Sequence, residues 1–208
     1  MAVMSTATTE RGIPAGGIRG RWIGFFSIAA VVAVADQLSK AWVAANFRPA
    51  PSSGVPDAPG GPTRVIGDWV RIAVSHNDGG IFGLLGSSAL VLGLASLVVI
   101  VAIVVYQARA GVLGHPLLTV ALGLLLGGAV GNLVDRLRLG YVIDWVDMGI
   151  GSARWYTFNV ADAAISTAIV LLLALGLFGE RLIRQPQPAE GEPVASAETV
   201  TAGTEQPR

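Results

Sequence analysis

Eight polar residues sit at or near the ends of long apolar stretches, at spacings that invite chemistry. Asp36 and Lys40 are four apart, so on a helix they share a face and can pair. Asn132, Asp135 and Arg136 are three and four apart and share a face in the same way. Asn159 and Asp162 are three apart, at the start of the apolar run that begins near residue 160. Asn77 precedes another such run, and Asp144 lies in the loop "YVIDWVD". Two carboxylates brought close together do not both ionise easily, so one keeps its proton near neutral pH. The ionised member can then activate water while the protonated one polarises a carbonyl and helps protonate the leaving nitrogen. Asp144 and Asp162 are the candidates for such a pair, and their titration would belong to the pair.

Other chemistries fit less well. There is no Cys, so thiol catalysis and Cys-ligated metal are excluded. His76 and His115 are too few and too far apart for a zinc site, and no cofactor is implied. A Ser–Lys dyad is available in Ser39 and Lys40, but helix neighbours point about 100° apart and do not face each other. Plainer readings also exist. Asp36–Lys40 can be a neutralised pair near the interface, Asp135–Arg136 a helix end facing headgroups, and Asn159 an N-cap. Asp147 reads as a solvated loop residue. Asp162 resists such a reading, because it lies in the first turn of an apolar helix with no basic neighbour in sequence.

The elements that must hold these residues are membrane helices. The chain of 208 residues is 52% hydrophobic and only 13% charged, about half the charge of a soluble domain. Net charge is zero, so nothing argues for a nucleic-acid partner. Four apolar segments, at about 22–43, 82–106, 116–133 and 160–178, are long enough or nearly so to cross ~30 Å of hydrocarbon. Successive spans alternate in direction. Asp36 and Lys40, Asn77, the Asn132–Arg136 group and the Asn159–Asp162 pair therefore all fall on one side of the membrane, whichever way the protein inserts. Residues 1–21, polar and Gly-rich, and 184–208, rich in Pro, Ala, Glu and Thr, both read as disordered cytoplasmic tails.

Between the spans, "VRIAVSHN" at 70–77 alternates like a short strand, and the segment 141–160 is rich in β-branched and aromatic residues and could be extended. Trp69, Trp145, Trp155 and Tyr156 suit an interfacial belt, so a small sheet on the membrane surface is expected. The Pro/Gly-rich stretch 48–63 reads as flexible. A rival reading of the N-terminus makes Arg19, Arg21 and the apolar run up to "AVA" a cleavable signal peptide. Against it, the apolar stretch resumes after Lys40. The Arg count on the two sides does not decide orientation. The short 2–3 loop and the Arg pairs near both ends favour both termini inside.

Five short motifs fall in register on this frame: "DQLSK" (36–40), "NDGGIF" (77–82), "GNLVDR" (131–136), "VIDW" (142–145) and "FNVADA" (158–163). In these motifs and their order the chain resembles the lipoprotein signal peptidases, signal peptidase II, from about 22 to 183. The resemblance implies a bacterial aspartyl endopeptidase of the cytoplasmic membrane. Such an enzyme cuts lipid-modified prolipoproteins just before the diacylglyceryl-modified Cys, near the outer surface, and is sensitive to globomycin-type inhibitors. It implies an α-helical integral membrane protein, a four-helix transmembrane bundle with a small extracytoplasmic β-cradle. The family's catalytic aspartates fall on Asp144 and Asp162. Its surrounding polar and small residues fall on Asp36, Lys40, Asn77, Gly79, Asn132, Asp135, Arg136, Asn159 and Ala161. Gly79 and Ala161 are expected to leave room beside the site for substrate backbone or acyl chains. Two features depart from the family pattern: Ile81 stands where a small residue is usual, and the stretch 48–63 and the tails are long. The alternative of another class is a small four-span transporter or proton relay using Asp36, Asp135 and Asp162. A relay would spread ionisable groups over both halves of the bundle, whereas these gather on one side.

Overall fold

The computed structural model describes residues 15–51, 53–79, 89–110 and 115–183. Its elements run α1 (Ala15–Asn46), β1 (Thr63–Ile66), β2 (Val70–Asn77), α2 (Ala89–Ala110), α3 (Pro116–Leu139), β3 (Val142–Ile150), β4 (Ala153–Arg154) and α4 (Val160–Ile183). All four helices are long and apolar enough to cross a membrane. α1 begins earlier than the apolar run that marks it, so residues 15–21 are helical and not part of a disordered tail. The rest of both expected tails, Ile81 and the expected start of the second span lie outside the described residues.

α3 is the axis of the bundle and packs against each of the other three helices. Its glycines make this possible. A Cβ on Gly127 would stand 2.7 Å from the Ala29 carbonyl oxygen of α1, and one on Gly128 would stand 2.5 Å from the Ala161 carbonyl oxygen of α4. Bare backbone on two faces of α3 lets both neighbours approach closely, which is how membrane helices gain packing where lipid competes for apolar contact. Phe25, Ala29, Ile103, Leu122 and Leu126 form the apolar core at the end of the bundle away from the sheet.

The four strands form one antiparallel sheet in the order β1-β2-β3-β4. β2 coincides with the alternating segment expected from sequence. It buries Ile72 and Val74 with Ile143 of β3 over Val43, in the last turns of α1. The sheet therefore sits on the end of α1, at the same end of the bundle as the polar residues. The stretch 48–63, expected to be flexible, is tied to the sheet instead. Ala50 N–H donates to the Val74 carbonyl at 2.9 Å, and the Asp57 carboxylate accepts from the Arg64 backbone and guanidinium at 2.9 and 2.8 Å.

Candidate active site

Helix α1 brings Asp36, Gln37 and Lys40 against α3. Lys40 is buried and reaches three acceptors: Asp36 Oδ2 at 2.7 Å, Asp135 Oδ2 at 2.9 Å and Asn132 Oδ1 at 3.0 Å. Two carboxylates thus share one ammonium, and both are buried. Asp135 also accepts from Gln37 Nε2 at 2.8 Å and from the Ile143 backbone N–H at 3.1 Å. That last bond spans the turn after α3, which Gly140 closes in the left-handed region at φ 82. It fixes the start of β3, and Asp144 follows directly. Asp36 Oδ1 accepts from the Ala161 N–H at 3.0 Å, which ties α1 to the first turn of α4.

Asn159 and Asp162 open α4 as a capping box. The Asp162 N–H donates to Asn159 Oδ1 at 2.9 Å, and the Asn159 N–H donates to Asp162 Oδ2 at 3.3 Å. Asn159 also looks inward. Its Nδ2 donates to Asp144 Oδ1 at 2.7 Å and to Asn132 Oδ1 at 3.2 Å. Asn132 Nδ2 in turn donates to Asp162 Oδ1 at 2.8 Å. Asn77, at the end of β2, donates to Asp144 Oδ2 at 2.9 Å and accepts from the Gly79 N–H at 2.9 Å. Gly79 takes φ 78, a conformation that favours glycine.

Asp144 and Asp162 line one cavity of ≈ 510 Å³ together with Asn77, Trp155, Thr157 and Ser166. Asp144 also lines an adjoining cavity of ≈ 760 Å³, with His76, Gly79, Arg136 and Arg154 among its walls. Burial pushes the Asp144 carboxyl up to about 6, and the negative charge of Asp162 adds to the rise against the lowering hydrogen bonds from Asn77 and Asn159.

Asp36, Lys40, Asn77, Asn132, Asp135, Asp144, Asn159 and Asp162 thus form one connected polar network, with Gly79 at its edge. Arg136 stands at the cavity wall, where its guanidinium donates to the Asn132 carbonyl at 3.3 Å. Ala161 differs from expectation. It is fully buried between helices and lines neither cavity, because its backbone is the contact surface for Gly128 and Asp36. Asp147 is not a solvated loop residue: it is 0% exposed and is paired with Arg154 at 2.9 Å. The Ser39 hydroxyl donates to the Asp36 carbonyl of its own helix, so Ser39 and Lys40 make no dyad. Sequence reasoning passed over Gln37, which links Asp36, Asp135 and the Gly131 carbonyl. Its place as a further polar residue inside "DQLSK" was the available signal.

The family model described as Signal peptidase (SPase) II matches residues 28–178, which span all these side chains. This chain belongs to the signal peptidase II family. Relatives named lipoprotein signal peptidase share its sequence over most of their length. The protein from Moorella thermoacetica is 40% identical over 71% of this chain and 89% of its own. The protein from Caulobacter vibrioides is 38% identical over 74% and 86%. A solved structure described as a bacterial membrane enzyme superposes with a TM-score of 0.64 at 23% identity, covering 80% of this chain and 94% of its own. At that identity it shows the fold alone. As a signal peptidase II, the chain is a membrane aspartic peptidase and a bacterial multi-pass membrane protein.

Proposed function

We propose that this chain removes signal peptides from lipid-modified prolipoproteins, cutting just before the diacylglyceryl-modified Cys, with Asp144 and Asp162 as the pair that activates water. One observation carries the reading: the two carboxylates border a single cavity and are joined through Asn159, which donates to one and caps the other. The names of the relatives supply the substrate class.

In this mechanism Asp144, whose pKa is raised, holds the proton and Asp162 is the base. Asp162 takes a proton from water as the oxygen attacks the scissile carbonyl carbon, and Asp144 gives its proton to the carbonyl oxygen. The resulting diol collapses: the C–N bond breaks, the leaving nitrogen of the lipidated Cys takes the proton that Asp162 received, Asp144 takes back a proton from a diol hydroxyl, and the signal peptide leaves as a carboxylic acid. Asn77, Asn132 and Asn159 hold both carboxylates in place without titrating. The sheet and the polar helix ends belong to the outer face of the membrane, with both termini cytoplasmic. A lipidated signal peptide lying in the bilayer then meets the pair about one helical turn below the surface, where water still enters. Globomycin-type inhibitors are expected to occupy this cavity.

The deciding experiment uses purified protein and a lipid-modified prolipoprotein. Asp144→Asn and Asp162→Asn are each expected to lose about 10³-fold or more in kcat while remaining folded in micelles. Cleavage persisting in either variant would remove that residue from the pair.

A further inference from the structure

Between the first two turns of α2 and the last turns of α3 lies an apolar groove of ≈ 340 Å³, lined by Leu90, Gly93, Leu94, Leu97, Leu133 and Leu137. It opens to the membrane side, for Leu90, Leu94, Leu97 and Leu137 are all about half exposed or more. One polar residue stands in its wall. Arg136 borders both this groove and the ≈ 760 Å³ cavity that contains Asp144. The two spaces also meet along α2, where Leu92 lines the larger cavity and Gly93 the groove. From Leu90 to Leu97 the groove descends about 10 Å from the level of the site.

Arg136 is unlike the other cations near the site. Lys40, Arg64, Arg71 and Arg154 each pair with a carboxylate. Arg136 makes no such pair among the described residues, and its guanidinium donates to the Asn132 backbone carbonyl. A guanidinium with spare donors at the boundary between a polar cavity and an apolar slot fits a ligand with oxygen acceptors at its head and a hydrocarbon tail.

We propose that this groove receives an acyl chain of the substrate's lipidated cysteine, with Arg136 at its mouth holding an ester carbonyl oxygen. The proposal rests on the prolipoprotein reading given above and names where the lipid part of that substrate goes. The groove supplies position more than transfer energy, since the chain leaves one apolar medium for another. Seating the chain fixes how far the thioether, and so the scissile bond, can lie from Asp144 and Asp162. Gly93 keeps the slot open. A Cβ there would meet only Leu133 Cδ1, at 3.8 Å, so the helices tolerate a side chain while a larger one fills the space.

The test uses two synthetic lipopeptides that differ only in their acyl chains, dipalmitoyl and dihexanoyl, with the full protein in bilayers of fixed composition. Wild type is expected to show a lower KM for the longer chain. Gly93→Leu is expected to raise KM for the dipalmitoyl substrate roughly tenfold, the low end for a small change in an apolar pocket. The rise should shrink with the dihexanoyl substrate. Leu97→Trp, deeper in the groove and on the lipid side, repeats the test should Gly93→Leu fail to fold. A wild-type KM independent of chain length overturns the proposal. So does an equal rise for both substrates, which would mark a bilayer phospholipid as the occupant. Failure of the aspartate pair reads out separately, as cleavage by Asp144→Asn whatever the chain length.

Discussion

Asn159 and Asp162 each accept a backbone hydrogen bond from the other, so the turn that opens α4 is also the turn that presents the carboxylate to the cavity. Capping and chemistry can be separated at Asn159. Serine retains a capping oxygen but has no second donor for Asp144. Asn159→Ser is expected to hold stability within about 0.5 kcal/mol while kcat falls about 100-fold. Asn159→Ala should lose about 1 kcal/mol more through the lost cap. Thermal melts in micelles beside single-turnover cleavage check both; equal loss of kcat and stability in the two variants would argue for capping alone.

Lys40 carries two buried carboxylates. Lys40→Met leaves both without their cation and is expected to destabilise by about 3–5 kcal/mol. Lys40→Arg should not restore it, because a planar fork does not reproduce three short bonds converging on one nitrogen. Melting temperature and insertion yield report the outcome. A Lys40→Met protein as stable as wild type would mean that the cluster is not ionised.

Asp144 gives a pH dependence with a definite sign. Its folded pKa of about 6 lies above the ordinary 3.8. The singly protonated pair is present below about 6 and is lost as pH rises through it, so kcat/KM should fall tenfold per unit above that value. Bound lipopeptide excludes water, and the corresponding limb in kcat is expected at higher pH. The same proton links to folding: its stabilising contribution is present below 3.8 and lost as pH rises through about 6. Melting curves across that window should decline for wild type and flatten for Asp144→Asn. A kcat/KM that rises through pH 6 to 7 would place the essential proton elsewhere.

Gly131 tests the packing that brings α3 to α1. A Cβ there would stand 2.6 Å from Asp36 Oδ2, so Gly131→Ala must displace a buried carboxylate and is expected to cost about 1–3 kcal/mol and most of the activity. Gly24→Ala, with nothing within 4 Å, should be neutral or slightly stabilising. Comparing the two melts separates close approach from helix propensity.

The spans and β2 were legible because each follows from local period: unbroken apolar runs for the helices, and Val70, Ile72 and Val74 alternating for the strand. Span order also placed the polar groups at one end without any structure. β1 was hidden, since four residues after a Pro/Gly-rich stretch give too short a pattern. Asp147 was misread because its partner, Arg154, reaches it across a hairpin, and nothing local distinguishes a buried acid from a wet one. Ala161 looked like a cavity wall in the motif. Only the approach of α3, permitted by Gly128 and Gly131, reveals it as a helix contact.

The order of the hydrogen bonds between Lys40 and Asp144 has a further consequence. Asn132 and Asn159 stand between the ion cluster of Asp36, Lys40 and Asp135 and the pair formed by Asp144 and Asp162. Amide side chains at neutral pH pass hydrogen bonds along but do not hand protons on. The two groups of acids are therefore wired together in position, with no titrating group between them to carry a proton from one to the other. The inner cluster can remain fixed through every turnover while only the outer pair gains and loses protons.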